Sequence, residues 1–168
     1  MPVSRQDAIR IISDGHGSVQ ELLSRLDDDA FVRRGTIGGA EWSAKDLAGH
    51  LADWEEYAVR TLDEWRSGTR PWFDDVDTDT VNYEAIRRHL DDPAADVRRR
   101  FTELHGRFRA ALVDMSDDEW SEPSFYETDR PRSLGELLGA VVGGEDGLFR
   151  HADAHLGELR DYVSTLRT

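Results

Sequence analysis

The apolar residues of this chain recur every three or four positions in four long segments, the spacing that places them on one face of an α-helix. The first stripe covers a segment from Ser4 to Arg34, and its phase continues across Gly15 and Gly17. Each glycine costs about 1 kcal/mol in a helix interior. Because the phase is unbroken, we nevertheless predict one continuous helix there.

The second segment carries a clear signal for the start of a helix. Ser43 is followed three positions later by Asp46, a near capping box, and an apolar stripe runs on from there. Residues 68–93 then form a long connection, in which the sequence predicts a short helix over Thr80–Leu90. Connections of this length in compact domains are often lids or crossovers.

The third helix is predicted to follow Pro93, since proline is favoured in the first turn, and its stripe ends at Met115. A second loop covers residues 116–132. We expect this loop to pack onto the body of the protein, because it contains three aromatic residues: Trp120, Phe125 and Tyr126.

The fourth helix is predicted to start at Ser133, with Glu136 completing a capping box, and to run nearly to the C-terminus. Four amphipathic helices bury their apolar faces by packing around a shared core. The predicted fold is therefore an all-α four-helix bundle, a single domain over residues 1–168, with a long connection between helices 2 and 3.

Composition and charge exclude several functions. The chain has 35 acidic against 21 basic residues, a formal net charge of −14, so we expect no binding to the nucleic acid backbone. It has no cysteine, which excludes disulfides and any chemistry by an internal thiol. The N-terminus lacks an apolar signal core, and no apolar run approaches the length of a membrane span. The expected location is the cytoplasm, without membrane attachment.

Three histidines lie on predicted inward faces. His151 and His155 are four residues apart on the fourth helix, and His50 flanks the inward stripe of the second. Bundles build metal sites from facing helices in this way. Each histidine alone also fits a satisfied core residue, but together they favour a site with open coordination positions for Zn, Ni or Fe.

Other candidate residues carry weaker signals. Glu145 falls near the buried face of the fourth helix and Tyr57 lies one heptad after His50, so either is a candidate to transfer a proton in catalysis. His16 fits a core residue or a neighbour of the metal ligands. The two remaining histidines, His89 and His105, lie at helix edges and are expected to be solvated.

The segment EWSAKDLAGHL over residues 41–51, with Trp54 and the later HADAHLGELR over residues 151–160, resembles the DinB-like superfamily. The likeness covers nearly the whole chain. It implies a four-helix bundle, commonly a homodimer, that binds a divalent metal through three histidines. Those positions correspond here to the same set: His50, His151 and His155.

The resemblance also implies two kinds of activity. Members include thiol S-transferases that use mycothiol or bacillithiol, and a mycothiol-dependent maleylpyruvate isomerase with an additional C-terminal domain. The ClbS/DfsB branch instead opens a cyclopropane of a genotoxic natural product and often lacks the metal histidines. We therefore expect a metal-dependent thiol transferase or hydrolase that detoxifies a small electrophile. A metal-independent self-resistance protein and a non-enzymatic binding protein are the alternatives.

Overall fold

The computed structural model describes residues 3–39, 41–124 and 132–166. In these ranges the chain is all-α: it contains isolated β-bridges but no β-strand. The α-helices are α1 (Arg5–Leu23), α2 (Asp28–Val32), α3 (Ala44–Arg66), α4 (Thr78–Arg88), α5 (Ala94–Asp114), α6 (Asp117–Ser121), α7 (Leu134–Val141) and α8 (His151–Thr165). A short 3-10 helix, Trp72–Asp75, lies between α3 and α4.

The predicted four-helix bundle is confirmed. Helices α1, α3 and α5 are three of its members, and the consecutive helices α7 and α8 together form the fourth. Helix α3 packs along α5 and α7, while α1 packs against α8 and α5. In the ranges that are described, no helix is long and apolar enough to cross a membrane.

The first predicted helix is wrong in its extent, because α1 ends at Leu23 rather than near Arg34. A turn follows, and Asp27 then caps α2 by accepting a hydrogen bond from the Ala30 N–H at 2.8 Å. The expected continuity across the two glycines is confirmed. Helices α1 and α8 approach closely at Gly15, since a Cβ at this position would lie 3.1 Å from the Ala152 Cβ on α8.

The fourth predicted helix is also interrupted. Helix α7 ends at Val141 and α8 begins at His151. In the intervening loop Phe149 has a φ of 64° and only 3% of its surface exposed, and its N–H donates to the Gly139 oxygen at 3.1 Å. The helix is thus interrupted by a residue in the left-handed region whose ring is buried, a feature that the local apolar period does not indicate.

The connecting segments differ from expectation in smaller ways. Helix α4 begins and ends two residues earlier than the predicted Thr80–Leu90. The predicted loop of residues 116–132 contains α6, whose Trp120 is 8% exposed and stacks on Phe149. The other two aromatic residues of this loop, Phe125 and Tyr126, lie outside the described residues.

The apolar core consists of two clusters. One cluster includes Val19, Leu47 and Phe101, and the other includes Ile12 and Phe108. Each member of the bundle also contributes a histidine that is buried or half-buried: His16 from α1, His50 from α3, His105 from α5 and His151 from α8.

The close packing of Phe149 gives a stability prediction with an internal control. A Cβ at Gly139 would lie 2.5 Å from the Phe149 Cε2, so Gly139→Ala is expected to destabilise the fold by about 1–3 kcal/mol. Gly157 is exposed on α8 with nothing within 4 Å of its Cβ position, so Gly157→Ala should stabilise by about 0.5–1 kcal/mol. Urea denaturation measures both, and shifts of the same sign would contradict the described packing.

Candidate metal centre

Local capping places His50 in the second turn of α3. The Ser43 hydroxyl accepts from the Asp46 N–H at 3.1 Å, and the Asp46 carboxylate accepts from the Ser43 N–H at 2.8 Å. This completed capping box fixes where the helix begins. His50, seven residues beyond the cap, is 4% exposed in the interior.

The loop before α8 places the other two histidines. His151 is the first residue of α8, and its N–H donates to the Val142 oxygen at 3.1 Å across that loop. His155 follows one turn later on the same side of the helix. The interrupted helix thus preserves the predicted relation between the pair.

The three imidazoles converge as the sequence predicted. The Nε2 atoms of His50 and His151 are 2.9 Å apart, and the ring centroids of the three pairs are 4.7–5.4 Å apart. One nitrogen from each of His50, His151 and His155 lies within 4.8 Å of the other two, so the triad could hold a metal ion. We call these three residues the histidine triad.

The triad is electrically neutral near pH 7. Burial, reinforced by the two neighbouring imidazoles, holds the pKa of His50 well below its usual 6.5. Burial and the adjacent His155 lower the pKa of His151 to about 3. Burial likewise lowers the pKa of His155, although Glu158 opposes the shift. Neutral imidazoles present the lone pairs that metal binding requires.

Two observations indicate that the triad fits a divalent ion. An ion held at about 2.1 Å by two imidazoles separates their nitrogens by about 3.0 Å at a right angle and about 3.4 Å at the tetrahedral angle, so the observed Nε2 separation of 2.9 Å needs only a small side-chain movement to admit an ion. In addition, the Nδ1 atoms of His50 and His155 are buried and have no hydrogen-bond partner among the described residues. A hydrogen bond between the Nε2 atoms of His50 and His151 uses only one ring nitrogen of His50. The His50 Nδ1 therefore still lacks a partner, whether it carries the ring proton or a lone pair.

The two residues predicted to transfer a proton differ in their exposure to solvent. The position expected for Glu145 is wrong, because the residue is exposed in the loop between α7 and α8 rather than near a buried helix face. Tyr57 is half-buried, and its ring packs edge-on against Trp54 and Trp72. Burial, together with the Asp53 charge, raises the pKa of Tyr57, so its phenol stays protonated.

A second polar cluster lies beside the triad. His105, expected to be solvated, is 9% exposed, and its Nδ1 is 2.8 Å from the Glu55 Oε1. His16 stacks between His105 and Phe101, with ring centroids 3.8 and 4.2 Å away. Burial and the neighbouring His105 lower the pKa of His16 to about 3. A cavity at this point is lined by His16 and Glu55 and also by His151 of the triad.

Sequence reasoning missed the carboxylates of α3. Asp53 and Glu55 are both largely buried, and each lines a cavity that a triad histidine also lines. Neither residue stands out in the apolar pattern, because α3 carries carboxylates at several other positions. The signal that could have identified them in the sequence is their spacing of three and five residues from His50. His89, also expected to be solvated, is 21% exposed in its side chain and lies 3.4 Å from Asp53.

Comparison with known proteins assigns the family. The model of the DinB superfamily matches residues 3–146. The chain belongs to the DinB superfamily. The matched range of this DinB-superfamily protein includes His50 but ends before His151 and His155. A search of curated proteins gives no match.

Solved structures share the fold of this DinB-superfamily protein. The colibactin self-resistance protein ClbS, solved with a dsDNA, is 15% identical with a TM-score of 0.78, over 96% of each chain. YfiT from Bacillus subtilis, described as a probable metal-dependent hydrolase with an unusual four-helix bundle topology, is 15% identical with a TM-score of 0.65, over 97% of this chain and 87% of YfiT.

A mycothiol-dependent maleylpyruvate isomerase is 17% identical with a TM-score of 0.71. The alignment covers 95% of this chain but only 61% of the isomerase. At such identities the likeness to all three structures establishes the fold and leaves activity open.

Proposed function

We propose that this protein is a metal-dependent enzyme, a thiol S-transferase or a hydrolase that acts on a small electrophile. The observation that carries the proposal is the convergence of His50, His151 and His155, whose ligand atoms lie within 4.8 Å of one another. Three protein ligands leave coordination positions open, as in catalytic rather than structural sites. Zn, Ni and Fe all accept imidazole, so any of them suits this donor set.

Each part of the site has a proposed task. When bound, a divalent ion supplies Lewis acidity, which lowers the pKa of a water or thiol that it coordinates. Trp42 and Trp54 contact the triad, with ring centroids 5.0 Å from His50 and 6.1 Å from His151, and they restrict access of bulk water.

A buried carboxylate near the triad is suited to accept a proton. Burial raises the pKa of Glu55, while its hydrogen bond with His105 lowers it. Its Oε2 is buried and unpaired within the described residues. We therefore favour Glu55 over the exposed Glu145 as the acceptor, and Tyr57 remains a candidate donor.

The proposed transfer uses an external thiol, because the chain has no cysteine. The thiol gives its proton to Glu55, and its sulfur forms a bond to the electrophilic carbon. The bond from that carbon to the leaving group breaks, and the leaving group takes the electron pair and then a proton. With water in place of the thiol the same sequence is hydrolysis. Mycothiol or bacillithiol is the proposed thiol, and the cytoplasm, where thiols stay reduced, the proposed location.

The direct test measures metal content and turnover together. Protein stripped with a chelator is reloaded separately with Zn²⁺, Ni²⁺ or Fe²⁺ and assayed with mycothiol, bacillithiol or water against alkyl halides, epoxides and maleylpyruvate. We expect one ion per chain, and turnover that requires the ion and falls at least 100-fold in His50→Ala. The exposed-residue variant Glu145→Gln serves as the control and should retain activity.

The other outcomes separate the alternatives. Less than stoichiometric binding of every ion would refute the proposal. Metal-independent protection of cells against a cyclopropane genotoxin, retained in His151→Ala, would favour the self-resistance function of the ClbS type. Saturable binding without turnover would favour a sequestering protein. We also propose a homodimer, which light scattering coupled to size exclusion tests independently.

A further inference from the structure

A small cavity lies on the α4 and α5 side of the triad. It is lined by residues of α3, by Ala85 and Ile86 of α4, by His89 just after α4, and by Val97 of α5. Its volume is about 10 Å³, which is near the space that one bound water needs. The α3 residues at its wall include His50 and Asp53, which are one helical turn apart.

Two of the residues that line this cavity carry buried polar atoms in need of partners. The His50 Nδ1 and the Asp53 Oδ2 have no hydrogen bond to any described residue, whereas the His89 Nε2 lies 3.4 Å from the Asp53 Oδ1. A buried polar atom left unsatisfied costs about 1–3 kcal/mol. Two such atoms at one cavity therefore indicate a shared partner.

The surrounding contacts fix what each atom can do. Asp53, 2% exposed in its side chain, pairs through Oδ1 with the Arg100 Nη1 at 2.5 Å, so it is a charged acceptor. The His89 ring lies between two carboxylates, with its Nδ1 2.6 Å from the Asp92 Oδ2 and its Nε2 3.4 Å from the Asp53 Oδ1. The Asp53 Oδ2 therefore remains as an acceptor that lacks a donor, and the His50 Nδ1 is the other polar atom at this cavity without a partner among the described residues.

One water in this cavity satisfies both atoms. It donates a hydrogen to the Asp53 Oδ2 and accepts a hydrogen bond from the His50 Nδ1–H. Two to four hydrogen bonds are the usual range for a buried water. We propose that Asp53 is a positioning residue, which holds the His50 imidazole through this water in the tautomer that directs a bare Nε2 lone pair toward His151.

The arrangement bears on the proposed metal site and rests on it for its functional meaning. Histidine ligands of metals commonly donate their second ring N–H to a carboxylate, a carbonyl or a water, and loss of that partner typically weakens metal affinity about 10–100-fold. Since the Nε2 of His50 is 2.9 Å from the Nε2 of His151, the proposed tautomer places a lone pair where the ion would sit.

The test combines metal titration with a spectroscopic measurement on the metal-free protein. Asp53→Asn should weaken Zn²⁺ binding about 10-fold or more in competition with a chromophoric chelator. In ¹⁵N-histidine spectra of the metal-free protein, His50 should change from the Nδ1–H tautomer to a mixture. If Asp53→Asn proves unstable, Asp53→Leu, which keeps the site compact, is measured in its place.

Glu56→Gln is the matched control, because it removes the other carboxylate that pairs with Arg100 and leaves Asp53, its ion pair and the cavity in place. It should change Zn²⁺ affinity less than 3-fold and leave the His50 tautomer unchanged. The proposal is overturned if Asp53→Asn leaves both readouts at wild-type values, or if Glu56→Gln alters them equally. Absence of Zn²⁺, Ni²⁺ and Fe²⁺ binding by the wild-type protein would refute the metal-dependent function, while the tautomer of His50 would still decide the role of Asp53.

Discussion

We expect His151→Ala to lose at least 100-fold in affinity for Zn²⁺ or Ni²⁺ and to lose the stabilisation that the ion gives to the wild-type protein. The Nε2 of His151 lies 2.9 Å from that of His50, so the substitution removes a central donor of the triad. Loss of a partner behind a ligand already costs about 10–100-fold, and loss of the ligand itself should exceed that. An ion at 100 times its Kd stabilises the native state by about 2.7 kcal/mol. Competition titration and thermal melts with and without metal measure the two effects.

His16→Ala is the informative control, because a second group of residues could also hold a metal ion: His16, Glu55 and His105. The rings of His16 and His105 are parallel within 10° at a centroid distance of 3.8 Å. Imidazole lone pairs lie in the ring plane, so two stacked rings do not direct them at one ion. His16→Ala should therefore keep the full metal content of one ion per chain. If His151→Ala retained the metal and His16→Ala lost it, the metal site would be the second cluster rather than the triad.

The metal-free protein should lose stability steeply as the pH falls below 6.5. Histidines with lowered folded-state pKa values bind protons in the unfolded chain before they do so in the native state. Each therefore reduces the free energy of unfolding by about 1.4 kcal/mol per pH unit between the unfolded and the folded pKa. Burial lowers the pKa of four histidines: His16, His50, His151 and His155.

Two carboxylates oppose this trend. Burial raises the pKa of Asp53 and of Glu55, and a raised carboxyl pKa favours the native state as the pH falls. Because four histidines oppose two carboxylates, we expect a net loss of stability as the pH falls from 6 to 5. Urea denaturation at several pH values, with a chelator present, measures the slope. His16→Ala should reduce it by about 1.4 kcal/mol per pH unit, and a flat profile from pH 7 to 5 would contradict the burial of these rings.

Much of the fold could be predicted because its signals are local. The apolar period of α3 and α5 fixes which face is buried, and the side chains of Ser43 and Ser133 mark helix starts through capping contacts only three residues away. The inward position of His50 and the shared face of His151 and His155 follow from the same helical geometry. The sequence by itself therefore determined the all-α architecture and the convergence of the triad.

The tertiary structure alone decided the interruption of the fourth helix and the environment of the triad. The break before α8 depends on Phe149 packing against Gly139, a contact that apolar periodicity does not encode. That break exposes Glu145, whereas Asp53 and Glu55 become buried because α5 supplies Arg100 and His105 as their partners. Burying a carboxylate is costly unless a neighbouring element offers a cation or a donor. Packing between helices, rather than position along one helix, thus decided which carboxylates are buried near the histidines.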